Sequence, residues 1–290
     1  MFNGALTALV TPFRDGEVDA PALRDLIEWQ IQSGIDGLVP CGSTGESATL
    51  THAEHDNVIK LTIEQTRKRV PVIAGTGSNS TAEAIRLTAA AREMGADGAL
   101  LLSPYYNKPT QDGIFRHYKT IAASVDLPLF VYNIPGRTAS NILPETVARL
   151  AEIKNIVGIK EASASMDQSS DILKMCGDRI TILSGDDALT VPLMALGAKG
   201  VISTCSNIVP REMHDLAAAA LAGDFAKARE IHYRLLPLIR GLFVETNPIC
   251  IKQAVAFMGK CANELRMPLV PMTAAPAERL RIAMKELRLI

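Results

Sequence analysis

The chain carries 290 residues, 48% of them hydrophobic, with 30 basic and 31 acidic side chains and a formal charge of −1. So even a balance excludes nucleic acid as a partner, since phosphates demand a basic face, and no apolar run approaches the roughly 20 residues that a bilayer span needs. Residues 1–13 have no basic segment ahead of their apolar stretch, so no secretory signal is expected, and five scattered cysteines, an odd number with no C-x-x-C pair, point to a reducing cytoplasm rather than a disulfide framework.

Taken in chain order, short apolar runs fall at residues 5–10, 38–39, 70–74, 99–102, 127–132, 156–160, 180–184 and 201–202. They are apolar at successive positions, which predicts strands of a parallel sheet buried on both faces. Three of them follow one pattern: Gly34-Ile35-Asp36-Gly37, Gly95-Ala96-Asp97-Gly98 and Gly197-Ala198-Lys199-Gly200. Each closes an amphipathic stretch, such as residues 82–94 or 188–196, as a helix ending on glycine and feeding a strand would. About eight such alternations predict an α/β fold, a (β/α)8 TIM barrel. An open doubly wound sheet is the alternative, and the lack of G-x-G-x-x-G after the first strand counts against its dinucleotide-binding form. Residues 211–221 read as the closing helix, and residues 225–243, 249–258 and 277–287 as further helices. The expected division is a barrel over 1–223 and a C-terminal helical extension over 224–290.

Catalytic groups in such a barrel come from the C-terminal ends of its strands. After the second strand, Gly42-Ser43-Thr44-Gly45-Glu46-Ser47 offers amides and hydroxyls that could cradle a carboxylate or phosphate; a hydroxyl-capped glycine turn would look the same. After the third, Gly75-Thr76-Gly77 is weak evidence, and Ser80 or Thr81 as a helix cap accounts for most of the polar run behind it. Tyr105 and Tyr106 follow the fourth strand, and Tyr132 and Arg137 the fifth. A phenol there can relay protons and an arginine fork can hold a carboxylate, although aromatic packing and a surface arginine would leave the same residues.

Lys160 ends the sixth apolar run. A lysine beside a strand is ordinarily a solvated charge, but one that finishes a barrel strand enters the mouth, where desolvation favours the neutral amine. Such an amine attacks a carbonyl to form an imine, an electron sink. Lowering its pKa from about 10.4 to near 7 takes about 4 kcal/mol, and the neighbouring Glu161 is expected to oppose it. After the seventh strand Asp186 and Asp187 would repel a phosphate. No metal site is expected: His52 and His55 lie three apart without H-E-x-x-H or a third ligand, and His117, His214 and His232 read as surface or boundary residues.

Gly42-Ser43-Thr44-Gly45-Glu46, Tyr132-Asn133-Ile134-Pro135-Gly136-Arg137-Thr138 and Gly158-Ile159-Lys160-Glu161-Ala162 together resemble the dihydrodipicolinate synthase and N-acetylneuraminate lyase superfamily of class I aldolase-type barrels. The likeness runs through nearly the whole chain, tail included. It implies an imine between Lys160 and pyruvate, with no cofactor beyond it. Thr44 would help hold the pyruvate carboxylate, and Gly185 and Ile202 would line its pocket through backbone groups. Tyr132 would be the main proton-transfer group, in a relay with Ser43 and with Tyr106 from a neighbouring subunit. Arg137 would bind the carboxylate of L-aspartate 4-semialdehyde, as in the superfamily's synthases of the lysine and diaminopimelate route; a sugar-acid lyase, with a neutral polyol aldehyde, and a non-catalytic acid-binding barrel are the alternatives. The synthases usually carry two threonines where this chain has Ser43-Thr44; serine keeps the hydroxyl but loses the methyl that fixes its rotamer. Ser47, Ala48, Leu50, His52, His55, Asn79, Glu83 and Tyr105 match positions that hold the feedback inhibitor lysine in inhibited members, and a homotetramer is the expected assembly.

Overall fold

A computed structural model describes residues 2–290. Eight parallel strands carry the fold: β1 (Gly4–Ala8), β2 (Gly37–Val39), β3 (Ile73–Gly75), β4 (Gly98–Leu102), β5 (Leu129–Asn133), β6 (Ile156–Glu161), β7 (Thr181–Ser184) and β8 (Gly200–Ser203). Their order is β2-β1-β8-β7-β6-β5-β4-β3, and a parallel bridge between Leu38 and Val72 joins the two ends. The sheet therefore closes into a (β/α)8 barrel, as the alternating pattern predicts.

The helices around it are α1 (Ala20–Gln32), α2 (His52–Thr66), α3 (Thr81–Met94), α4 (Gln111–Ser124), α5 (Pro144–Leu150), α6 (Met166–Cys176), α7 (Thr190–Ala195) and α8 (Pro210–Leu221). Hydroxyl residues start many of them. Thr51 and Glu54 form a reciprocal capping box on α2, and Ser80, Thr110 and Ser165 each accept a backbone N–H of their own first turn. The recurring glycine acts as expected at Gly95, which caps α3 in the left-handed region (φ 92°), where a side chain would be strained.

Strand periodicity divides the core into two layers. Leu6, Ala8, Val39, Ile73, Leu100, Phe130, Tyr132, Leu183 and Ile202 fill the barrel interior, while Ala5, Leu101, Val131, Ile159 and Ile182 face the helices. Phe2 closes the lower end, edge-on to Phe130 with ring centres 5.2 Å apart. On β6 this alternation turns Gly158 inward, where a Cβ would come within 2.2 Å of the Phe130 ring. Two residues on, Lys160 takes the same inward direction at the barrel's upper rim.

Beyond α8 come α9 (Phe225–Gly241), α10 (Ile249–Phe257) and α11 (Ala274–Glu286); α9 packs on α8 and α11, and α10 on α11. A small hairpin not expected from the sequence pairs Phe13–Arg14 with Glu17–Val18, and its turn residues Asp15 and Gly16 both have positive φ. Asp-Gly is the signal for such a turn. The first strand ends at Ala8 rather than residue 10, and the third begins at Ile73, two residues beyond Pro71, which has no N–H for a ladder. His117 and His232 are buried rather than at the surface, His117 with Nδ1 2.9 Å from the Thr81 hydroxyl.

Candidate active site

The barrel's register brings the central residues together. Tyr132 on β5 pairs with Lys160 on β6, and Lys160 with Leu183 on β7. The Lys160 side chain is buried, 6% exposed, and its Nζ lies 4.3 Å from the centre of the Tyr132 ring. Burial pushes its pKa down to about 8 from the ordinary 10.5; the Arg137 cation helps and the Asp187 carboxylate opposes. At neutral pH roughly a tenth of the amine is then free, against a few parts in ten thousand for a solvated lysine. Tyr132 is buried as well, and desolvation holds its phenol up at about 12, with Arg137 and the facing Ser43 hydroxyl drawing it back. The phenol is thus a neutral proton donor beside an amine that can lose its proton.

The carboxylate that faces Lys160 is not the one expected. Glu161, the next residue on β6, points out of the barrel, where its oxygens accept from Asn133 Nδ2 (3.1 Å) and the Ser163 N–H (2.7 Å). The opposing charge is Asp187, buried, with Oδ2 accepting from the backbone N–H groups of Thr204 (3.1 Å) and Cys205 (3.0 Å) at the end of β8.

Ser43 and Thr44 sit on a 3₁₀ turn, Ser43–Gly45, directly after β2. Both hydroxyl residues border the cavity of about 200 Å³ that also meets Lys160, Tyr132, Arg137, Gly185, Asp186 and Thr204. Gly185 leaves room there: an added Cβ would stand 2.6 Å from Ala162 Cβ and 3.0 Å from Lys160 Cε. Ile202 is buried in the interior layer and does not border the cavity. Arg137 projects from a single helical turn, Pro135–Thr138, and donates through Nη2 to the Asn247 carbonyl at 2.5 Å. Asn247, whose side-chain Nδ2 donates to Thr44 Oγ1 at 3.0 Å, belongs to the connection between α9 and α10. In the sequence, Asn247-Pro248 stands out only as a helix separator. Tyr106 is not brought in by this chain: it is 90% exposed, at φ 71°, and borders neither cavity of the site.

A larger hollow of about 560 Å³ opens beside the first and shares Ser43, Tyr132, Arg137 and Asn247 with it. Ser47, Ala48, Leu50, His52, His55, Glu83 and Tyr105 line it, and Asn79 reaches Tyr105 with Nδ2 3.2 Å from the carbonyl. The Ser78 hydroxyl and then His52, with Nε2 at 2.9 Å, hold the Glu83 carboxyl below its ordinary pKa. His55 is buried, Nε2 2.8 Å from the Gly75 carbonyl, and desolvation lowers its pKa. Among the described residues no group of three or more metal-ligating side chains occurs, and no helix is long and apolar enough to cross a membrane.

The sequence profile of the Dihydrodipicolinate synthetase family matches residues 1–287. A 4-hydroxy-tetrahydrodipicolinate synthase of Syntrophus aciditrophicus is 58% identical over 290 residues, the full length of both chains. A solved chloride-inhibited dihydrodipicolinate synthase of Acinetobacter baumannii, complexed with pyruvate, superposes with a TM-score of 0.99 at 45% identity over all of both chains. A dihydrodipicolinate synthase of Cyanidioschyzon merolae with lysine bound gives 0.97 at 41% identity, covering 100% of this chain and 99% of the other. With the profile spanning the barrel and the helices beyond it, this chain belongs to the dihydrodipicolinate synthetase family.

Proposed function

We propose that this chain condenses pyruvate, held as an imine on Lys160, with L-aspartate 4-semialdehyde, the activity for which its full-length relatives are named. One observation carries the reading: the Lys160 amine is enclosed at the barrel mouth, is deprotonated more readily than in water, and stands over a neutral phenol.

The amine attacks C2 of pyruvate and water leaves, giving the imine. Loss of a C3 proton turns it into an enamine, whose C3 attacks the aldehyde carbon; the resulting alkoxide takes a proton. The amino group brought by the aldehyde then displaces Lys160 from C2, closing the ring and freeing the amine. The imine is the electron sink, so these steps call for no prosthetic group. Thr44 suits the pyruvate carboxylate, with the backbone around Gly185 lining the pocket; Ile202, in the interior layer, does not border it. Tyr132 moves the protons, passing them through Ser43 to Tyr106 of a second copy, which supplies what the exposed tyrosine cannot supply within one chain. Arg137, at the shared wall of the two cavities, takes the carboxylate of the aldehyde, which favours an acidic acceptor over a neutral polyol.

Borohydride reduction in the presence of pyruvate is expected to add the reduced adduct to the peptide holding Lys160, and activity is expected with aspartate semialdehyde but not with N-acetylmannosamine. An unmodified Lys160 peptide would sink the reading. The 560 Å³ hollow suits free lysine as inhibitor, with Glu83 on the ammonium and Asn79 and Tyr105 on the carboxylate. Titration calorimetry with millimolar lysine should give heat that the E83Q variant loses. A homotetramer is the assembly we propose, to be checked by sedimentation.

A further inference from the structure

The chain buries a second lysine that the reaction does not use. Lys252, on α10, is 0% exposed, and each of its three protons has an acceptor: Thr11 O at 2.6 Å, Glu46 Oε1 at 2.7 Å and Glu264 O at 3.1 Å. The Glu46 side chain is equally enclosed, and its other oxygen accepts the Arg266 N–H at 3.0 Å. A charge pair taken wholly out of water is weak evidence for stability, because desolvation offsets most of the attraction. Its geometry is specific, however. Glu46 lies two residues after Thr44 and ends the turn that carries Ser43 and Thr44, in the left-handed region at φ 54°, where a glutamate is unusual. The Thr11 hydroxyl donates to Gly45 O at 2.7 Å, one residue before, and Asn247, five residues ahead of Lys252, donates to Thr44 itself. The long-range hydrogen bonds on Thr44, Gly45 and Glu46 thus run to the segment after β1 or to the chain beyond α9, and none to β6, which carries Lys160.

We propose that Glu46 and Lys252 are a positioning pair for the reaction: through this buried ion pair α10 sets the Ser43–Thr44 turn, and so the placement of its two hydroxyls over Lys160 and Tyr132. The inference rests on the function proposed above. It separates two parts of the site, with the imine-forming amine built on β6 and the hydroxyl wall clamped from the far end of the chain.

The E46Q variant keeps the shape of the side chain and breaks the charge pair; T11V removes an independent tie on Gly45. K252M/E46M removes both charges and leaves none unpaired. All three are assayed in the full-length enzyme, well below their melting temperatures. Borohydride trapping of pyruvate comes first: if the wild type forms no adduct, the proposed function fails and the positioning of the turn is not what failed. With the wild type trapped, E46Q and T11V are expected to retain the Lys160 adduct, while kcat falls about tenfold or more and KM for pyruvate rises, as a displacement near 1 Å would cause. The double variant is expected to melt near the wild type and still show the lowered kcat. Wild-type kcat and KM in a folded E46Q or double variant would overturn the proposal, and so would wild-type constants in T11V if the other two do not fold.

Discussion

Lys160 and Tyr132 are register partners on adjacent strands, and the ammonium position of one lies 4.3 Å from the ring centre of the other. The same burial acts on both in opposite chemical senses. It disfavours charge, so it drives the lysine toward the free amine and holds the tyrosine as the protonated phenol. An imine-forming site needs this division, a nucleophile without its proton beside a donor that still has one.

The rate should follow the amine. With the Lys160 pKa at about 8, kcat/KM for pyruvate is expected to rise with a slope of one through the acid range and level off above that value. In R137A the cation that helps lower the pKa is gone, so the break moves to higher pH. A pH profile of kcat/KM under excess aldehyde checks both; a wild-type profile flat from pH 6 to 9 would refute the first.

Stability should carry the same signature with a definite sign. The folded pKa of Lys160 lies below that of the unfolded chain, so between about 8 and 10.5 the unfolded state binds more protons and stability rises with pH. Below pH 8 both states are charged and the cost of the buried ammonium is at its full value. Relative to K160M, the wild type should therefore gain about 3 kcal/mol across that window. Denaturant unfolding of both proteins at pH 7 and pH 10.5 measures the difference, in which other titrating groups largely cancel.

The barrel was legible because both periods it depends on, alternating inward residues along strands and glycine-ended helices, are local. Lys160 was legible for the same reason: its direction follows from Gly158 two places earlier. Its surroundings were less so. Asn247 meets Thr44 across 203 residues of sequence, and no local pattern announces such a contact. Glu161 turns away from the amine because adjacent strand residues point to opposite faces, a consequence of pleating that mere proximity in sequence conceals, whereas Asp187 acts on it from the 3₁₀ turn after β7. The Asp15-Gly16 hairpin, by contrast, carried its usual turn signal and could have been read.

Arg137 is held ready by the Asn247 carbonyl at 2.5 Å, with its remaining donors free to face the shared wall of the two cavities. Replacing it by alanine should leave the borohydride adduct with pyruvate intact and cut kcat/KM for the acidic aldehyde roughly 10- to 100-fold, the loss of a charged hydrogen-bonding partner. Lysine at this position restores charge but not the fork, and should recover only part of the loss. Steady-state kinetics with the aldehyde varied at saturating pyruvate separates the two effects. An R137A enzyme with unchanged kcat/KM for the aldehyde would remove the arginine from substrate recognition.

Gly185 gives the sharpest steric test of where pyruvate sits. A methyl group there would lie 2.6 Å from the Ala162 Cβ and 3.0 Å from the Lys160 Cε, both shorter than carbon contacts allow. Ala162 follows β6 on a backbone tied to Asn133 (N–H to carbonyl, 2.9 Å), so relieving its contact shifts the backbone at the mouth by a few tenths of an ångström, and the flexible lysine stem moves as well. The G185A variant should therefore fold, since the strain falls at the mouth and not in the packed interior, yet trap pyruvate on Lys160 at least about tenfold more slowly, the amine no longer meeting the cavity at its attacking angle. Far-ultraviolet circular dichroism establishes the fold, and the rate of adduct formation under borohydride reads the geometry. Trapping at the wild-type rate would mean that the lysine stem shifts without loss, and that the floor of the pyruvate pocket lies elsewhere.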